Sequence, residues 1–303
     1  MPRLFPPSLT VAVVLAALAL SACGQREEPV GALPQPYPVT VQGAGEGPTA
    51  VTARPARIVA LDSGPARVLA ALGAGDRLVG VPADVQPERR TGIVVDSNGQ
   101  VDVDAVERLR PDLIVSTPAV DPLDVSRAQR RSEAALYVQP DSSVDDIVRG
   151  TLDLGFLVGE PVNARRLAER IRRGTQSVEA RVAGEPIVSA FVDTGFFITI
   201  PARTLLGDLI RRGAGESIAG DAPGPEAFPP ARLRRLDPDV YLATAESRVT
   251  LRQLRADPRT ASITAIREGR FALLPSELVN EPGPRVAAAL ERVARALHPD
   301  AFR

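Results

Sequence analysis

Two spacings of apolar residues alternate along the chain. Short apolar runs end in turn-forming residues: RIVALDSG at 57–64, RLVGVP at 77–82, GIVV at 92–95, DLIVST at 112–117 and LYVQ at 136–139. Each reads as a buried strand, since a covered strand is a short apolar run closed by Gly, Pro, Asp or Ser. Between them lie helix-patterned stretches: 65–72, stopped by Gly73; Val103–Leu109, stopped before Pro111; and 123–134. Strands alternating with helices indicate a parallel α/β layer.

The longest helix-patterned region, 141–183, divides the chain. Ser142 followed by Asp145 resembles a capping box. Val144, Ile147, Val148, Leu152 and Phe156 form one apolar stripe, which Gly159-Glu160-Pro161 interrupts. Ala164, Leu167, Ala168, Ile171, Val178 and Val182 form a second stripe, with Arg and Glu on the opposite face. The reading is two helices, 143–158 and 163–182, the second a strut between two halves. Two ordinary core helices of a single domain would give the same text. Strand signals then resume at 186–194 and 196–200, with Asp193-Thr194-Gly195 as a candidate hairpin turn. A helix at 204–212, another at Pro230–Leu236, a strand at 270–275 and a closing helix at 284–297 follow. LDPDVYLAT at 236–244 repeats LRPDLIVST at 109–117. The expected fold class is therefore α/β: two Rossmann-like lobes, 55–160 and 186–303, joined by a connecting helix at 161–185 with a ligand cleft between them. Ligand groups in such sheets gather at the carboxyl ends of strands. The candidates are Asp62, Ser63, Asp84 and Thr117 in the first half, and Thr194, Phe196, Phe197, Tyr241 and Thr244 in the second.

The N-terminus adds a location. Residues 1–22 hold one positive charge, Arg3, and an apolar run at 11–20, too short to span a bilayer and suited to a signal peptide. LSAC at 20–23 resembles a bacterial lipobox, in which Cys23 becomes the lipidated first residue after cleavage. A plain secretory signal with an incidental Cys is the alternative. Residues 24–54 are rich in Pro, Gly and Glu with no apolar period, and read as a flexible tether from the anchored Cys23, with the folded body beginning near Pro55. The expected location is the extracytoplasmic face of a cell membrane.

Composition removes several chemistries. Hydrophobic residues make up 44% and charged ones 24%, as in an ordinary globular chain, and the formal net charge of −1 offers no reason for nucleic-acid binding. No Lys occurs, which excludes P-loop phosphate binding and Schiff-base chemistry. One His (His298) and one Cys exclude a His/Cys zinc site, a Cys–His nucleophile pair and a disulfide within the chain. Asp62-Ser63 and Asp193-Thr194 offer acid and nucleophile parts, but the only His lies at the tail and no G-x-S-x-G elbow occurs. No catalytic role, cofactor or resident metal is expected.

Four segments carry a family resemblance: PARIVALDSGPARVLAALGAGDRLVGVP at 55–82, VDAVERLRPDLIVST at 103–117, ARLRRLDPDVYLAT at 231–244 and REGRFALLP at 267–275. In order and spacing the chain is similar to the class III substrate-binding proteins of ABC importers, the ferric-siderophore and cobalamin receptors. The resemblance implies two α/β lobes on a backbone helix, small closure around a chelate in the cleft, and delivery to a permease served by its ATPase. It also implies a permease-docking carboxylate seven residues before the Pro of each "PD" strand. Asp104 holds that place in the first lobe; in the second it is Ala231, with Glu226 upstream as a poor substitute. That departure favours the alternative of a receptor-fold surface protein acting as sensor or adhesion module. Arg89, Arg90, Arg203 and Arg248 fall in loops or at element ends; a guanidinium fork suits an anionic chelate, and an ordinary surface arginine is the favoured alternative for each. The absence of Trp and an aromatic content of 4% disfavour a corrin-sized aromatic cleft. The lack of histidines disfavours a naked transition metal.

Overall fold

The computed structural model describes residues 36–85, 91–221, 224–275 and 283–303. Cys23, Arg89 and Arg90 lie outside the described residues.

The first sheet is built from β3 (Ile58–Ala60), β4 (Leu78–Pro82), β5 (Gly92–Val95), β6 (Leu113–Ser116) and β7 (Ala135–Val138). Its order is β5-β4-β3-β6-β7 and every pairing is parallel. Helices α1 (Ser63–Ala71), α2 (Val103–Leu109) and α3 (Pro122–Ser132) make the crossovers. The second sheet contains β8 (Val188–Asp193), β10 (Gly215–Ser217), β12 (Val240–Thr244) and β13 (Phe271–Leu274), in the parallel order β10-β8-β12-β13. Its helices are α6 (Leu205–Arg212), α7 (Pro230–Leu236), α8 (Leu251–Ala256) and α9 (Thr264–Glu268). The pair β9 (Ile198–Thr199) and β11 (Glu226–Ala227) forms a small antiparallel ladder beside it.

The repeat seen in the sequence is a repeat in structure. Helix α2 ends in Arg110 and α7 in Asp237, both left-handed at φ 43, each followed by Pro-Asp. The left-handed residue frees the chain from the helix, and the proline prevents its continuation. Each following Asp ties its strand to the first strand of its lobe. Asp112 accepts from the Ala56 N–H at 2.7 Å, and Asp239 from the Ser189 N–H at 2.8 Å.

Between the lobes run α4 (Val144–Leu157) and α5 (Pro161–Val182). Ser143, one residue later than the Ser142 expected from the sequence, caps α4 by accepting from Asp146 N–H. Gly159, at φ 72, makes the break between the helices, and Pro161 restarts the helix where a missing N–H costs nothing. The buried face of α5 comprises Ala164, Leu167, Ala168, Ile171, Thr175, Val178 and Val182. It packs on α4 and on the closing helix α10 (Val286–Leu297). The approach is close: a Cβ on Gly155 would sit 2.1 Å from that of Ala164. One apolar cluster therefore runs from Ile58 and Leu113 through this seam to Val188, Leu242 and Leu290.

A charged clasp reinforces the seam. Asp208 of α6 accepts from the Val144 N–H at the start of α4 at 3.0 Å, and Arg212 Nε donates to it at 2.8 Å. The other guanidinium nitrogens of Arg212 reach Glu179 of α5 and Asp145 of α4, each at 2.7 Å. Burial pushes the Asp208 carboxyl up, but the Val144 N–H and Arg212 outweigh it and hold it below the ordinary carboxylate value.

The body does not begin at Pro55. Strands β1 (Val39–Val41) and β2 (Thr49–Val51) form an antiparallel hairpin on the first lobe, where a tether was expected. Val39 and Val51 are buried, Thr49 Oγ1 donates to Leu136 O at 2.6 Å, and Tyr37 Oη donates to Leu157 O at 3.0 Å. Three-residue strands leave no apolar period to detect, and the hairpin gains its stability from contacts far away in sequence. A chain starting at Pro55 forfeits two buried valines and these bonds. It should be about 4 kcal/mol less stable to urea than one starting at Pro36. Equal midpoints and slopes would show that the hairpin adds nothing to the fold.

Candidate functional site

Both lobes carry the same small device at the carboxyl end of their first strand, an Asp-x-Gly turn. In the first lobe, Asp62 Oδ1 accepts from the Gly64 N–H at 2.9 Å and so caps α1. Its Oδ2 accepts from Thr117 Oγ1 at 2.7 Å, reaching across from the end of the neighbouring strand β6. Ser63 Oγ donates to Asp84 Oδ1 at 2.5 Å, and Arg67 lies 3.4 Å from the other Asp84 oxygen. The loops after β3, β4 and β6 thus bring Asp62, Ser63, Asp84 and Thr117 into one polar network.

In the second lobe, Asp193 ends β8 fully buried. Its Oδ1 accepts from the N–H groups of Gly195 at 3.1 Å and Phe197 at 3.0 Å. Its Oδ2 accepts from Tyr241 Oη at 2.6 Å, from the neighbouring strand β12. Burial, with the Asp193 charge beside it, pushes the Tyr241 phenol up, so it remains a donor. This carboxylate holds an unusual turn. Phe196 and Phe197 stand consecutively in the left-handed region, at φ 55 and 63. For residues with a Cβ that conformation costs about 1–2 kcal/mol each. The Thr194 N–H closes the turn by donating to Ile198 O at 2.8 Å. Its product is Phe196, 65% exposed, with its ring edge on Phe197 at 5.1 Å. Exposed aromatic surface on a strained, well-anchored turn marks a place where the fold spends stability on presenting a side chain.

Three second-lobe expectations need correction. Tyr241 is not a cleft wall: it is fully buried, edge-on to Phe191 at 5.2 Å and stacked with Phe271, and it positions Asp193. Phe197 is buried in the same aromatic core, because two left-handed residues in succession send neighbouring side chains to opposite sides of the turn. Thr244 is also buried, since every residue of β12 is covered, and its hydroxyl has no hydrogen-bond partner. Thr194 keeps partial exposure, its hydroxyl donating to Ile198 O.

Two contacts join the lobes on the carboxyl side of the first sheet. The segment leaving β7 reaches α6 through the Val144–Asp208 bond. A Cβ built on Gly283, which follows β13 in the chain, would lie 3.5 Å from the Gly64 backbone of the first turn. Two features escaped the sequence reading. The hairpin residues Ala44, Gly45 and Pro48 line a 570 Å³ cavity with Thr117, Val120 and Val138. Asp141, just beyond β7, is the second. Burial pushes its carboxyl up to about 6, helped by the charges of Asp62 and Asp146. The available signal was position, an acidic residue one step past a strand's carboxyl end.

The expected docking and loop residues fall elsewhere. Asp104 lies exposed on α2 and pairs with Arg131 at 2.5 Å, which also reaches Glu107. Ala231 occupies the matching place on α7, and Glu226 pairs with Arg232 at 2.9 Å. Arg203 pairs with Asp221 at 3.0 Å, and Arg248 is exposed.

The two lobes, their crossovers and the two Asp turns define a two-lobed binding protein on a helical backbone. The chain belongs to the periplasmic binding protein family, whose model matches residues 58–278. It is 22% identical over 306 residues to the ABC transporter substrate-binding lipoprotein YvrC of Bacillus subtilis, covering 96% of this chain and 97% of that protein. It is 25% identical over 322 residues to the cobalamin-binding protein of Halobacterium salinarum, covering 95% and 84%. The periplasmic vitamin B12 binding protein BtuF of Vibrio cholerae has the same fold, with a TM-score of 0.71 and 20% identity over 82% of this chain and 98% of that one.

Asp141 generates a pH test. Its folded pKa is raised, so its protonated form contributes stability at low pH, and that contribution is lost as pH rises through about 6. Asp141→Asn should therefore be more stable than the parent at pH 8, by on the order of 1 kcal/mol after allowing for partial exposure. The difference should vanish near pH 4 in urea melts. A loss of stability at pH 8 that fades near pH 4 would mean that the ionised carboxylate is needed.

Proposed function

We propose that the protein is a lipid-anchored, extracytoplasmic substrate-binding protein of an ABC importer. It captures a ferric siderophore or cobalamin-like chelate between its lobes and delivers it to a membrane permease, without chemical change. The observation that carries this reading is the Asp193-anchored turn presenting Phe196 on one lobe, and the Asp62–Thr117 and Ser63–Asp84 pairs at the carboxyl edge of the other. A flat apolar ring and a fringe of hydroxyls and carboxylates suit a large ligand with an apolar body and polar side groups. The family membership, the names of YvrC and the cobalamin-binding protein, and the lipobox-like LSAC at 20–23 support the same reading. Asp104 is the permease-facing carboxylate in this scheme. Arg131 already occupies it, so docking exchanges one guanidinium for another.

A panel of cobalamins and ferric chelates should contain a ligand that raises the melting temperature with its concentration, as mass action requires. Phe196→Ala should weaken that ligand about tenfold, equivalent to about 1.4 kcal/mol, while leaving the unliganded melting temperature nearly unchanged. No shift across the panel at saturating concentrations would overturn the ligand class. Cys23→Ser should move the protein from the membrane fraction to the soluble fraction after a high-salt wash. Retention through that wash would remove the lipid anchor from the account.

A further inference from the structure

The strut helix α5 carries a charge pattern that its fold does not require. Its 22 residues include six arginines and two glutamates, in a chain whose formal total is −1. Arg165, Arg166, Arg170, Arg172 and Arg173 all stand exposed within its first thirteen residues, on the side away from the seam. Arg166, Arg170 and Arg173 recur at helical spacing and form one row; Arg165 and Arg172 flank it. Only Arg173 meets a carboxylate, Glu169 at 3.2 Å. Among the described residues the other four have no acidic partner within 4.0 Å. Single arginines such as Arg130, Arg235 and Arg252 also stand exposed without an ion pair among the described residues, but none of them belongs to a row on one helix face.

The placement opposes helix stability. The first turn of α5 holds no acidic residue, and like charges four apart, as Arg166 and Arg170 are, repel. A cationic row with one internal partner, Glu169, suits an anionic partner outside the chain.

The position of the N-terminal segment indicates which partner. Tyr37 bonds to Leu157 O, and Arg54 bonds to Val158 O and Glu160, so the first described residues leave the body at the amino end of α5. From Pro161, the arginine row lies roughly 6–18 Å along the helix axis. Cys23 precedes Pro36 by 13 positions. Thirteen positions span at most roughly 45 Å. A lipid on Cys23 would thus keep the arginine face within reach of the bilayer surface.

We infer that this face is a second membrane contact, an electrostatic docking surface for the anionic phospholipid headgroups of the membrane that holds the anchor. Guanidinium forks match phosphate oxygens, and a basic surface beside an acyl anchor is a two-signal attachment. Resting on that face, the receptor turns its seam and both lobes away from the bilayer. The inference takes its geometry from the anchor reading above, and its test does not depend on lipidation.

The test uses the chain from position 23 onward carrying Cys23→Ser, in co-sedimentation with vesicles at low ionic strength. Phosphatidylglycerol vesicles should bind it, phosphatidylcholine vesicles should not, and added salt should release it. Arg166→Gln, Arg170→Gln and Arg173→Gln together should weaken binding on the order of a hundredfold. Their melting temperature should stay equal to the parent's or exceed it, because repulsion is removed. The exposed control set Arg130→Gln, Arg235→Gln and Arg252→Gln should leave binding unchanged. Binding that ignores lipid charge, or that both triple variants weaken equally, would overturn the inference. So would a triple α5 variant that still binds vesicles but no longer binds a purified permease, since the partner would then be an acidic protein surface.

Discussion

The structure depends on the apolar seam along α5. Ala164, Leu167, Ala168 and Ile171 lie against α4, and the stripe continues through Val178 and Val182 toward the second lobe. Because the same cluster contains Ile58 of one sheet and Leu242 of the other, the lobes share a core and are not merely tethered. Opening them widely would expose that surface at about 25 cal/mol for each square ångström. The Arg212 clasp adds direction to the adhesion, since parting the lobes there would break the bonds from Asp208 to the Val144 N–H and from Arg212 to Asp145 and Glu179. For the proposed receptor, that leaves small rigid-body closure as the motion compatible with an intact seam.

Each lobe places its contribution to the proposed cleft with the same element, an Asp that accepts from the N–H two residues later and from a hydroxyl on the neighbouring strand. The lobes then diverge. After Asp62 the chain enters α1 at once and leaves hydroxyls and carboxylates at the edge. After Asp193 it enters a left-handed turn that displays Phe196. One architecture, used twice, produces a polar edge in one lobe and an exposed aromatic ring in the other. The anchors are carboxylates used to hold backbone, which explains why Tyr241 belongs to the support of the site and not to its surface.

The repeated "PD" strands, the strut and its break at Gly159 were legible in the sequence because each rests on local rules: a left-handed cap before proline, an apolar stripe at helical spacing, a glycine at positive φ. What was not legible rests on tertiary context. The hairpin residues Val39 and Val51 show their purpose only against the first lobe. All five residues of β12 are covered, so its apolar text could not show which way Tyr241 points. Phe196 and Phe197 are chemically identical neighbours, and only the backbone of the turn separates exposed from buried. The short helices α8 and α9 and the strand β10 hold too few residues for a period to register.

The central claim is that the carboxyl ends of the two sheets enclose the ligand while the seam stays intact. A crystal structure with the most stabilising chelate tests it most directly. The account requires the ligand between the Asp62–Gly64 turn and the Phe196 ring, with α4, α5 and α10 packed as in the free protein. A ligand bound on the outer face of either lobe, or in the cleft only after α5 has separated from α10, would contradict it.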